Sequence, residues 1–199
     1  MNALVCGIGV NERMYLSRYG RVNISEYKIW YSMLERCTIK YWSKHPTYVG
    51  VTCSENFKSY TFFYEWCNKQ NGFNEKDENG MYWHLDKDIL VKDNKVYSED
   101  NCVFVPQRIN NLLTKGNSRR GNYPIGVSWH KGTKKYMASC SFGKMKLQYL
   151  GLFATPQEAF LVYKTYKEAL IKEVANEYKE VLDKRVYEAL MKYEVNIND

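Results

Sequence analysis

The sequence predicts an α+β protein: a ββα unit with a helical lead-in, followed by a three-stranded antiparallel sheet packed on one helix. Three observations predict it. Apolar residues recur at helical spacing from Tyr27 to Cys37. The stretch from Trp83 to Asn110 holds two short apolar runs separated by the polar turn Lys92-Asp93-Asn94-Lys95, and it continues past Pro106, a residue that opens helices. Residues 123–178 hold three strand-like runs, broken at Lys131-Gly132-Thr133-Lys134 and Gly143-Lys144-Met145-Lys146, then a long amphipathic segment. The expected divisions are residues 1–114, 115–178 and a helical tail over 179–199, with the Gly, Asn, Ser and Arg stretch after Leu113 as the linker.

In chain order, Arg18 and Arg21 flank Gly20 in a loop or short strand suited to nucleic acid. Ser25 reads as a helix N-cap, with Glu26 in the first turn complementing the dipole. Tyr27, Trp30, Met33, Leu34 and Cys37 form the buried stripe of that helix. Pro46 and Gly50 then punctuate the chain, and Tyr48–Cys53 reads as a short strand. Residues 58–70 read as a second helix, closed by Asn71-Gly72. The acidic, Asn-rich residues 74–80 form a surface loop. In the next run the acid pair Asp86 and Asp88 lies on one strand, and the helix after Pro106 presents Asn110 inward. Two strands folded over a helix bring a strand-end acid to one helix face, so Asp86 and Asn110 can share one divalent cation; oxygen ligands of this kind suit Mg²⁺.

Composition narrows the function classes. Hydrophobic residues make up 45% and aromatic residues 16%, with 18 Tyr and 5 Trp, which excludes disorder as a description of the whole chain. No run approaches the roughly 18 apolar residues of a membrane span, and no basic start precedes the short apolar N-terminal patch. A cytoplasmic protein without membrane partners is expected. The six cysteines lack CxxC pairs and read as free thiols in a reducing compartment. A second arrangement brings Cys37, Cys53 and Cys102 around a zinc with His45. Net charge is +7, and from Asn101 to Gln157 there is no Asp or Glu against nine Lys and Arg, which leaves −2 for the rest. A surface of one sign gathers polyanions, and double-stranded DNA is the expected partner.

The order Asp86-Lys87, Asn94-Lys95, Asn101-Cys102, an apolar run and Ile109-Asn110 resembles the HNH (ββα-metal) endonucleases of phages and mobile introns. The groups Tyr27–Trp30, Met33–Cys37, Tyr48–Cys53, Phe57–Trp66 and Asn71–Phe73 are similar to the lead-in of phage HNH-type proteins, and they read as scaffold. The resemblance implies Asp86 and Asn110 as ligands of Mg²⁺ or Mn²⁺, and Asn94 or Asn101 as the central asparagine. It puts Lys87 where the family has its general-base histidine. A lysine, with pKa about 10.4, is a poor base at neutral pH unless its surroundings depress it. His84, on the same strand face as Asp86, stands in as the base.

A second resemblance covers residues 123–178. Gly126-Val127, Lys135-Tyr136-x-Ala138, Gly143-Lys144, Leu150-Gly151-x-Phe153-x-Thr155, Glu158-Ala159 and Tyr163 resemble the AP2/ERF-type DNA-binding domain. That family lays its sheet in the major groove. By position the contacts would be Trp129, His130, Lys131, Lys134, Lys135, Lys144 and Lys146 on the free sheet face, with Arg119 and Arg120 of the linker reaching phosphate or minor groove. Trp129 reads equally as core and as DNA contact. Lysine lacks the guanidinium fork, so discrimination between sequences should be modest. The function expected is a DNA endonuclease of a bacterial host's cytoplasm, if phage-encoded. The alternatives are a DNA-binding protein on an inactive nuclease scaffold, regulatory or directed against the host, and a binder of a host protein.

Overall fold

A computed structural model describes residues 3–115, 121–141 and 147–199. They form two compact units, Met1–Pro106 and Gln107–Asp199. Among the described residues, no helix is long and apolar enough to cross a membrane.

The first unit begins with a hairpin, β1 (Arg18–Tyr19) and β2 (Val22–Asn23), whose two-residue turn starts at Gly20 with φ +58°. Helix α1 (Ser25–Arg36) buries Trp30, Met33 and Leu34 completely, as its spacing predicts, and the Trp30 indole donates to the Phe57 carbonyl at 2.8 Å. A short α2 (Ile39–Trp42) is capped by Thr38. Next comes β3 (Thr52–Cys53). The helix expected over residues 58–70 is instead two, α3 (Glu55–Lys58) and α4 (Tyr60–Cys67). Ser59 breaks them because the backbone on either side pairs with Val10: Val10 N–H donates to the Lys58 carbonyl and Tyr60 N–H to the Val10 carbonyl, at 2.8 and 2.9 Å. The Ser59 hydroxyl then caps α4.

Phe57, Phe63, Trp66 and Phe104 form the aromatic core beside Trp30 and Tyr60, with ring centroids 4.8–6.0 Å apart. Phe104 belongs to β6 (Val103–Val105), which pairs antiparallel with β4 (His84–Asp86). The two-strand pairing expected there is present, but the first strand ends at Asp86 and Asp88 lies outside it. Between them β5 (Val96–Tyr97) turns away to pair parallel with β3.

In the second unit α5 (Gln107–Leu113) packs on the later long helix, and Arg108 grips Glu177 with its two terminal guanidinium nitrogens. Strands β7 (Val127–His130), β8 (Lys135–Ser141) and β9 (Leu147–Phe153) form the antiparallel three-stranded sheet. Helix α6 (Pro156–Glu177) covers one sheet face and starts with a full capping box from Thr155 and Glu158. Val127, Ala138, Cys140, Ala159, Phe160 and Tyr163 form this core, together with Val195 of the tail. Gly126, at φ +78°, lies where an added Cβ would be 2.0 Å from the Tyr163 ring. The tail restarts as α7 (Lys184–Met191) with Asp183 as its cap, and it buries Val186 and Leu190. Lys164 and Glu168 hold the Val195 backbone, so the tail belongs to this unit.

Candidate functional site

Asp86 ends β4, half-buried, and its Oδ1 accepts the backbone N–H groups of Asp88 and Ile89 at 2.7 and 2.8 Å. Its second oxygen takes no hydrogen bond among the described residues. Burial pushes this carboxyl above the ordinary aspartate range, against the pull of those two N–H donors. His84 shares its strand face by alternation, and the two pair with Val105 and Val103. The fixed oxygen sets the carboxylate's orientation, and the other has the hard-donor character that Mg²⁺ or Mn²⁺ prefers.

Lys87 is buried, and its ammonium donates to the Asp88 carboxylate and, at 2.8 Å, to the Asn94 carbonyl. It also lies 5.7 Å from the Tyr97 ring centroid. This placement makes Lys87 a structural cation of the loop, and the titratable side chain that shares the strand face of Asp86 is His84. Asn94 closes the same loop: its amide donates to the Lys87 and Val96 carbonyls at 2.8 and 2.7 Å and accepts from Val96 N–H. Asn101 lies in the turn into β6, where its N–H is bound by Ser98. Asn110 is on α5 of the second unit.

Beside this loop stands a residue that the sequence did not single out. Arg36, at the last turn of α1, is half-buried and donates to the Tyr97 hydroxyl at 3.3 Å. Its guanidinium carbon lies 5.9 Å from the Tyr48 ring centroid, and Tyr41 meets Tyr48 edge to face at 5.2 Å. Tyr48 also feels the charges of Asp88 and Asp86, though burial is the chief reason its phenol is raised. A basic residue in a last helical turn is routine, so only the tyrosines from distant segments mark Arg36.

The zinc arrangement is not found: among the described residues, no three His, Cys, Asp or Glu are placed to hold a metal. The Cys37 thiol donates to the Met33 carbonyl at 3.4 Å, and its proximity to Cys53 pushes the Cys37 pKa up and the Cys53 pKa down. His45 instead stacks on Tyr41 at 4.2 Å.

On the free sheet face of the second unit, alternation and register place Ser128, Met137, Ser139, Tyr149 and Leu152, with His130 and Lys135 at one end. Lys131 and Lys134 are exposed in the β7–β8 turn, which His130 closes through Thr133 at 2.9 Å. The described basic residues thus gather at the sheet's end and not across its face, because the face positions carry hydroxyl and apolar side chains. Trp129 lies on the α6 side, 4.9 Å from Tyr136 in a T-shaped contact, and is 40% exposed. Arg119, Arg120, Lys144 and Lys146 fall outside the described residues. The chain matches no protein-family model, no curated protein and no solved structure.

Proposed function

We propose that this protein is a metal-dependent endonuclease of double-stranded DNA, with its chemistry centred on Asp86. The observation that carries the reading is the Asp86 carboxylate itself: one oxygen is fixed by two backbone N–H groups, the other is unengaged, and His84 stands on the same strand face. Burying a carboxylate against its solvation is unfavourable, and a fold keeps such a group where a cation or a proton is to be handled. A bound Mg²⁺ or Mn²⁺ would neutralise phosphate charge and favour ionisation of water. Asp86 would orient that cation. His84 takes the proton of the attacking water at its imidazole nitrogen. Asn94 keeps the loop closed so that Asp86 stays aimed. The acid-free run from Asn101 to Gln157 supplies phosphate attraction, which sets affinity more than sequence choice.

Supercoiled plasmid tests this directly. With Mg²⁺ or Mn²⁺ the protein should convert it to open-circle or linear DNA, EDTA should stop the conversion, and Asp86→Ala should fall to background. A second reading, a DNA-binding protein without cleavage, draws on the engagement of Lys87 by Asp88 and Asn94 at the position of the family's base. Plasmid that is shifted but uncut in every metal would select it. A host protein as partner has no support beyond the aromatic first unit, whose rings are mostly core.

A further inference from the structure

Arg36 is a half-buried guanidinium without a counter-charge. Its neighbours are phenols: Tyr97 at 3.3 Å from a guanidinium nitrogen, Tyr48 beneath the guanidinium carbon at 5.9 Å, and Tyr41 against Tyr48. No carboxylate lies within ion-pair distance of it among the described residues. Withdrawing a cation from water is costly unless an anion compensates, and one neutral hydroxyl with the face of a ring compensates only in part. Across the same Tyr97 ring lies the Lys87 ammonium, which is paired with the Asp88 carboxylate. Two cations thus flank one phenol, and of the two only Lys87 has a carboxylate partner among the described residues. Tyr97 links this positive region to Asp86, since its hydroxyl takes the Arg36 donor at 3.3 Å and its ring lies 5.7 Å from the ammonium of Lys87, the residue after Asp86.

We propose that Arg36 is a phosphate receptor: its guanidinium takes an oxygen of a DNA phosphodiester, beside the cation held at Asp86. The planar fork suits two phosphate oxygens at once, and the tyrosines fix its orientation. The proposal rests on the endonuclease reading for its substrate, and it is separable from that reading by experiment.

The test uses the full chain and a labelled DNA duplex in EDTA, so that binding is read without cleavage. Binding is measured against salt concentration for the native protein, Arg36→Gln, Arg36→Lys and, as a remote control, Lys184→Gln. Arg36→Gln should make the slope of log K on log salt shallower by about 0.9, the value of one phosphate contact. Arg36→Lys keeps the charge and should keep the slope, yet lose most plasmid cleavage in Mn²⁺ because the fork is gone. Lys184→Gln should match the native protein in both assays. Should Arg36→Gln fail to fold, inorganic phosphate decides: at equal ionic strength it should raise the native melting temperature over chloride, and Arg36→Lys should lose that increment. A native slope in folded Arg36→Gln, or an unchanged phosphate increment in Arg36→Lys, would overturn the receptor and leave the nuclease reading standing. A native protein that never cuts, combined with the slope change, would remove the nuclease reading and keep the receptor.

Discussion

Among the described residues each unit buries one lysine, and the two are held in opposite ways. Lys87, after β4, is 8% exposed and satisfied by the Asp88 carboxylate and the Asn94 carbonyl, over the Tyr97 ring. Lys167, on the sheet-facing side of α6, is 9% exposed and has no carboxylate partner among the described residues. Burial lowers its pKa, and Cys140 acts the other way. The difference teaches what each region is built for. In the second unit, periodic apolar packing sets the structure and a charge is merely tolerated within it. In the first, short strands are joined by a loop whose shape depends on polar groups binding one another, and that loop aims Asp86.

The largest stability effect should come from the packed region. Gly126→Ala introduces a Cβ into the Tyr163 ring at a positive φ, and it should cost about 3 kcal/mol, read as loss of hydrogen-exchange protection in β7, β8 and α6. Asn94→Ala removes three hydrogen bonds of the polar loop and should cost about 2 kcal/mol, with protection lost around β4, β5 and β6 only. Should either variant loosen both units equally, the division of labour between them would be wrong.

The lysines themselves sharpen the contrast. Lys87→Met should destabilise by about 1 kcal/mol, a modest figure because Asp88 is half exposed and solvent screens its loss. Lys167→Met should instead stabilise by about 1 kcal/mol at neutral pH. The folded state binds this proton less well than the unfolded chain, so the penalty is present at neutral pH and fades as pH rises to the ordinary lysine range. Melting curves across that range should therefore show the gain of Lys167→Met shrinking; a gain that stays constant would exclude the charge as its cause. Thr155→Ala, which removes one half of the capping box, is of similar size, about 1 kcal/mol of destabilisation confined to the second unit.

The same contrast explains what could be read from the sequence. The three strands and the stripe of α1 follow local rules of alternation and 3.6-residue spacing and are found where those rules put them, whereas the cap expected at Ser25 falls on Ile24, whose side chain makes no capping hydrogen bond. The break at Ser59 was hidden because it depends on Val10, far away in sequence. The role of Lys87 was hidden because its partner is a carbonyl seven residues on, and a carbonyl has no sequence signature. Arg36 looked like an ordinary last-turn base until Tyr48 and Tyr97 were brought to it. Asp86 was legible as a strand-end acid; the two N–H groups that aim it were not, since backbone donors depend on the turn that follows. Lys167 escaped notice because its neighbours in sequence make a plausible apolar face without it.

The proposed function turns on Asp86, a half-buried carboxylate, holding a divalent cation. Thermal melting of the native protein and of Asp86→Asn, at neutral pH in EDTA and in Mn²⁺, tests it most directly. The amide oxygen can still accept from Asp88 and Ile89, so the loop is preserved. Because burial raises the folded pKa of Asp86, its ionised form opposes folding above that pKa, and the opposition vanishes as pH falls below the ordinary aspartate range. The account predicts that Asp86→Asn melts higher than the native protein in EDTA at neutral pH, while Mn²⁺ raises the melting temperature of the native protein only. An Asp86→Asn protein that melts lower in EDTA and gains as much from Mn²⁺ as the native chain would contradict it.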